Sequence, residues 1–240
     1  MKRRDLLAGL ACATLAGNPQ TAMAESAAET LYVPQPQRVE DRRFLHDFMD
    51  EFPFVDLVTI SPSLHITHIP VFLDRDAGAF GTIHGHISRQ NSQRVALEDK
   101  QTAVVVFHGP HGYISPTWYA KAGNVVPTWN FAVVHATGKL RPVEAKESLN
   151  DLLSKLIAKF ERYEGTTYDF AKVDPIYKYG LMGGIIGFEL EIELLEGKFK
   201  LGQDRNPDDR EILVKNLQHA KEPPSLHDFT ASFYAWQKKV

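Results

Sequence analysis

Residues 107–135 hold an unusual density of side chains capable of chemistry. Phe107-His108-Gly109-Pro110-His111-Gly112-Tyr113-Ile114-Ser115-Pro116-Thr117-Trp118-Tyr119 is followed by Val125-Val126-Pro127-Thr128-Trp129-Asn130-Phe131-Ala132-Val133-Val134-His135. Three histidines, two tryptophans and two tyrosines sit there beside Ser115 and Asn130. Each of those rings pairs a flat face with a hydrogen-bonding edge. A plain β-core does not need that combination, whereas a pocket for a planar, polar-edged molecule does.

Seven of the ten histidines lie between residues 65 and 135. His84-Gly85-His86 puts two imidazoles on one strand face, about 7 Å apart at Cα. His108 and His111 flank a Gly-Pro pair that reads as a turn. Such spacing can bind zinc, copper or haem iron. It can equally serve hydrogen bonds to a cofactor, a loop or water. Metal-bound imidazoles lean on acidic acceptors, yet residues 77–135 contain only Glu98 and Asp99, so no metal site is assigned. Ser88-Arg89-Gln90-Asn91 follows the His-x-His strand. There a guanidinium fork can meet a phosphate while a hydroxyl and an amide fill the remaining acceptors. A solvated arginine fits the same pattern, and Lys139 and Arg141 are alternative cations. Ser115, between Ile114 and Pro116, is not a nucleophile elbow. Glu189, Glu191 and Glu193 alternate along a strand as a wet face. No catalytic residue is assigned.

The elements that must position these groups follow from periodicity. A short helix is predicted over 40–52 and an amphipathic one on Leu149, Leu152, Leu153, Leu156, Ile157 and Phe160. Strands are predicted over 54–60, 64–73, 81–88, 102–107, 133–141 and 185–195. Pro70 cannot donate to a ladder, so its strand is an edge or is bulged there. Asn206-Pro207-Asp208-Asp209 caps a further helix to about Leu217. Locally connected antiparallel strands with a few helices give an α+β fold built on a small β-barrel. No Gly-rich phosphate loop precedes a helix, which excludes a Rossmann arrangement.

The N-terminus reads as an export signal. Lys2-Arg3-Arg4, an apolar run from Leu6 to Gly17, and Ala22-Met23-Ala24 form a basic region, a hydrophobic region and a small-residue cleavage site. The paired arginines fit the twin-arginine type, so the twin-arginine translocase is an expected partner and the periplasm the expected location. That route carries folded proteins, often with a cofactor already loaded. The divisions expected are a signal at 1–24, a linker at 25–36, a barrel domain at 37–218 and a tail at 219–240. The single cysteine, Cys12, falls in the signal, so the exported part has no disulfide or thiolate chemistry. The net charge of −3 gives no nucleic-acid footprint, and no membrane association is expected once the signal is removed. Phe229, Phe233 and Trp236 recur at helical spacing in the tail, which either docks on the barrel or caps a ligand pocket.

Several of these stretches, taken in order, resemble the PaiB family. They are Gly85-His86-Ile87-Ser88-Arg89-Gln90-Asn91, His108-Gly109-Pro110-His111, Ser115-Pro116-Thr117-Trp118-Tyr119, Val126-Pro127-Thr128-Trp129-Asn130-Phe131 and Glu196-Gly197-Lys198-Phe199-Lys200-Leu201. That family belongs to the FMN-binding split-barrel superfamily of pyridoxamine-phosphate-oxidase-like proteins. The resemblance implies a six-stranded antiparallel split β-barrel with peripheral helices that forms a homodimer, with FMN in the groove between subunits. It implies that Thr67, His68, Ile69 and Pro70 line the isoalloxazine edge. His86, Ser88, Arg89 and Asn91 would lie toward the ribityl phosphate. Ser115, Trp118, Trp129 and Asn130 would complete the pocket, and Lys200, Gln203 and Arg205 match the family's Lys-x-Ser-Gln-Asn-Arg pattern. Ser88, Gln90 and Ser92 depart from the family's Ala-Arg-Ala-Asn-Pro, and Gly202 and Asp204 replace its serine and asparagine. The implied function is a flavoprotein with a redox or flavin-reductase-like role, possible as an FMN-dependent oxidoreductase. Haem is the alternative cofactor, since related barrels bind it. Some members are negative transcriptional regulators, a role that fits only if the N-terminus is not a signal.

Overall fold

The computed structural model describes residues 30–119, 126–219 and 224–239, so the expected signal lies outside the described residues. The chain runs β1 (Arg38–Val39), α1 (Arg42–Glu51), β2 (Phe54–Thr59), β3 (His65–Pro70), β4 (Phe72–Asp74), β5 (Thr82–Ser88) and α2 (Arg94–Glu98). It continues through β6 (Thr102–Ile114), β7 (Thr128–Val143), α3 (Lys146–Glu164), α4 (Pro175–Met182), β8 (Ile185–Lys200), α5 (Pro207–Gln218) and α6 (Pro224–Gln237). The strands form an antiparallel sheet in the order β3-β2-β6-β7-β8-β5-β4, with β1 added to β8. β3 and β5 approach each other without sharing a ladder, which closes the sheet into a barrel with an open seam.

The described residues make eight strands rather than the expected six. The extra two are short, β1 with two residues and β4 with three. Proline chemistry explains β4. Pro70 has no N–H, and the Val71 N–H turns to the Pro53 carbonyl at 2.9 Å. The segment expected as one strand over 64–73 therefore breaks, and its second piece pairs with β5 instead of β2. The expected turn at His108-Gly109-Pro110-His111 is also corrected. β6 runs straight through it, and the β6–β7 register shifts between His108 and His111. A bulge absorbs the proline that a regular ladder would reject.

Alternation decides what lies inside. Val55, Leu57 and Thr59 of β2, Ile83 and Ile87 of β5, and Ile186, Phe188, Leu190 and Ile192 of β8 are buried. Each buried side chain of that size contributes about 1.5–3 kcal/mol. At Gly138 the β7–β8 register shifts, and a Cβ there would sit 1.9 Å from the Glu191 carbonyl oxygen. Only glycine allows that approach of two strands. α3 buries Leu149, Leu152, Leu153 and Leu156 in a satellite cluster with Phe72, Val143 and Met182.

α6 docks on the main core. Phe233 stacks on Phe199 at 5.5 Å and meets the Phe44 edge at 5.8 Å. Phe229 reaches Phe48 and Phe199 at 5.7 and 5.9 Å. Among the described residues, no helix is long and apolar enough to cross a membrane.

Candidate functional site

The expected site residues fall into distinct groups. The first lies at the N-terminal side of α2. Thr67 Oγ1 donates to Gln93 Oε1 and accepts from Asn91 Nδ2 at 2.8 Å. Gln93, 1% exposed, donates in turn to the Leu57 carbonyl at 3.0 Å and to Thr59 Oγ1 at 3.1 Å. Thr67 and Asn91 therefore do meet, through a buried glutamine that periodicity did not single out. The four residues Thr67 to Pro70 do not share one surface. Successive strand residues face opposite ways. Ile69 is 8% exposed and belongs to the core, while His68 points out.

Ser88 and Arg89 lie at the far end of β5. Ser88 Oγ accepts from the Gln90 N–H at 3.1 Å, and Arg89 Nη1 pairs with Glu144 Oε2 at 3.1 Å. His86 shares a β5 face with His84, beneath α3. Burial pushes both imidazoles below their ordinary value, and Glu189 partly opposes this at His84. His84 stacks on Phe72 at 4.6 Å. Among the described residues, His84 Nε2 and His86 Nδ1 are buried without a hydrogen-bond partner. The structure thus separates His86 from the Thr67–Asn91 network instead of joining them.

The second convergent group surrounds the β7–β8 end. Asn130, Thr128, Lys200, Gln203, Arg205 and Tyr119 line a cavity of about 140 Å³. Lys200 Nζ donates to Thr128 Oγ1 at 2.6 Å, and the Arg205 guanidinium lies 4.9 Å from the Tyr119 ring centroid. Burial raises the Tyr119 hydroxyl above its ordinary pKa, and Arg205 partly offsets this. Gln203 shapes the loop. Its Oε1 accepts from the Leu201 N–H and its Nε2 donates to the Pro36 carbonyl, both at 2.9 Å. Asn130 is 1% exposed, and among the described residues its Nδ2 has no hydrogen-bond partner. A buried amide donor left open costs about 1–3 kcal/mol. Lys200 and Arg205 outnumber Asp204 in the cavity lining, which suits an anionic guest.

Trp129 alternates to the opposite face, 48% exposed, and donates to His111 Nδ1 at 3.2 Å. Ser115 caps the short turn over Pro116–Trp118, and Trp118 packs on the core. Neither opens into the cavity lining.

A third cluster was not legible in the sequence. Asp56 on β2 bridges His68 through Oδ1 and His108 through Oδ2, the latter at 2.8 Å. Burial works against its charge, but hydrogen bonds from His108 and His68 hold the carboxyl below its ordinary pKa. The acid lies outside the histidine-rich stretch and arrives only through β2–β3 and β2–β6 pairing. The cluster is flanked on the outer sheet face by exposed Phe54 and Ile66. Among the described residues no three His, Cys, Asp or Glu side chains converge as a metal site.

The fold defines a split barrel with a cavity at the β7–β8 end lined by Lys200, Asp204 and Arg205. Residues 31–194 match the family described as "Putative FMN-binding domain", and the chain belongs to it, as a PaiB-type split barrel whose cofactor is FMN. It is 30% identical over 194 residues to the "Protease synthase and sporulation protein PAI 2" of Bacillus subtilis, covering 80% of this chain and 92% of that one. An uncharacterized protein of Emericella nidulans is 29% identical over 192 residues, covering 66% and 76%. Among solved structures, the flavocytochrome Anf3 from Azotobacter vinelandii superposes with a TM-score of 0.51 at 16% identity, covering 73% of this chain and 75% of that one, a likeness of fold.

The residues present fit the family's cofactor at one end. Lys200 and Arg205 would hold its anionic portion. The whole of FMN is far larger than the cavity.

Proposed function

We propose that this chain is an exported flavoprotein that holds FMN between two copies of itself and has a redox or flavin-reductase-like role in the periplasm. The observation that carries this reading is the cavity at the β7–β8 end, where Lys200 and Arg205 stand beside Asp204 in a chain that matches an FMN-binding family over residues 31–194. Because the cavity admits only part of the cofactor, the flat ring needs a second wall. A second copy supplies it most directly, and the exposed rings of Phe54, Tyr113 and Trp129 are apolar surface that pairing would cover. Bound FMN supplies hydride and electron transfer. The chain's own residues would bind, orient and shield it. Export agrees with the twin-arginine pattern at Arg3 and Arg4 and with loading of the cofactor before translocation. An exported copy does not meet the chromosome, so a regulatory role is not carried over.

The test is the absorbance spectrum of protein purified after native export. The two bands of an oxidised flavin are expected. A Soret band would replace FMN by haem. A colourless sample that also ignores added FMN would end the reading. Export itself is tested by changing Arg3 and Arg4 to Lys, which should stop translocation. Continued translocation would assign the general secretory route.

A further inference from the structure

The antiparallel pair α5 and α6, joined by only a few residues, encloses a groove of about 650 Å³ that the flavin reading does not use. Its floor is Val214, Ala231, Tyr234 and Ala235, and Pro207 closes one end. Its rim carries Arg210, Lys215, Lys238 and Lys239, against Glu211 as the acid in the lining. That cationic excess stands on a chain whose net charge is −3. Antiparallel packing sets the end of α6 beside the start of α5, so Arg210, Lys238 and Lys239 gather at the Pro207 end. Lys215 stands alone at the other. Among the described residues, Lys215, Lys238 and Lys239 enter no ion pair, which leaves their charge available to a guest. Arg210 is fixed by its Nε donating to the Arg205 carbonyl at 2.8 Å, and its guanidinium lies 5.9 Å from the Tyr234 ring centroid.

We propose that this groove binds a medium-chain anionic amphiphile, with its carboxylate head among Arg210, Lys238 and Lys239 and its tail along Val214, Ala231 and Ala235. The polarity of the groove selects this occupant. An acidic amphipathic helix would need cations along the whole length, whereas here they concentrate at one end. A flat bilayer would not enter a concave slot. The volume lies within the usual range for small-ligand sites of about 300–1,000 Å³. The lining runs from Pro207 to Lys215 along α5, eight steps or about 12 Å at 1.5 Å per residue, which suits a medium rather than a long chain. The proposal is independent of the flavin, and its test needs none.

Isothermal titration of the exported protein with decanoate, below the concentration at which it forms micelles, should show saturable one-to-one binding. Decanol and decyltrimethylammonium share the tail but lack the anionic head, and should bind far more weakly. Lys238→Gln with Lys239→Gln should weaken decanoate about fivefold, the size expected for two exposed ion pairs. Ala235 is exposed, so Ala235→Trp can fill the groove while the circular dichroism spectrum stays native; it should abolish binding. Absence of saturable binding would overturn the proposal. So would equal affinity for all three head groups, or affinity unchanged in both variants. Binding only to phosphatidylglycerol vesicles would also overturn it, in favour of a membrane surface.

Discussion

Asn130→Leu should move stability and cofactor affinity in opposite directions. In the free protein the Asn130 amide is 1% exposed with its Nδ2 unpaired. A buried donor in that state costs about 1–3 kcal/mol. Leucine keeps the branching and removes the polar atom, so the protein without cofactor should become more stable by part of that amount. For a chain of this length each kcal/mol shifts the melting temperature by about 2–4 °C. If the amide turns toward bound FMN, as the flavin reading requires, the same change also removes a hydrogen bond to an anionic or acceptor-rich group. At about 1.5–3 kcal/mol for a charge-assisted bond, affinity should fall about ten- to a hundredfold. Thermal melts with and without FMN, together with a titration of flavin fluorescence, measure both quantities. A variant that melts lower without FMN and binds it unchanged would refute the reasoning, because the amide would then be satisfied within the protein.

His84, His86 and His135 are all held below the ordinary imidazole value by burial. The folded state therefore binds fewer protons than the unfolded state below about pH 6.5, and stability should be lost as pH falls from there through the folded-state values. Melting temperatures across that window check this, and a flat profile would contradict it. Gly138→Ala should cost more than about 4 kcal/mol, because its Cβ would meet the Glu191 carbonyl oxygen at 1.9 Å; soluble yield and circular dichroism would report the loss. Phe233→Ala should cost about 3–5 kcal/mol in urea unfolding and expose α6 to protease. An unchanged midpoint would mean that the helix contributes little.

The strands were legible because their inward residues alternate with period two. β5 is the clearest case, with Ile83, Gly85 and Ile87 inward and His84 and His86 outward. The cap of α5 was equally readable, since Asn206 accepts from the Asp209 N–H at 2.8 Å as its type and position require. What stayed hidden depends on pairing between distant strands. Asp56 reaches His108 across 52 positions of sequence, and no local pattern announces that. The site shows the same division. Thr128 and Lys200 meet because Phe131 pairs with Lys200 across β7 and β8, and only a family pattern could link them beforehand. Arg89 looked suited to a phosphate from its neighbours alone, but Glu144, 55 positions later, reaches it first. Periodicity also could not foresee that Pro70 would send the following residues to a different neighbour.

The seating of Phe233 on Phe199 and Phe44 bears on how the protein is made. Those partners leave the ribosome well before position 233 does. Until then the nascent barrel offers a bare aromatic surface to its surroundings, the kind of intermediate on which chaperones act. On the proposed twin-arginine route, a translocase that accepts only finished folds would sense the arrival of this late helix as the moment at which greasy surface disappears.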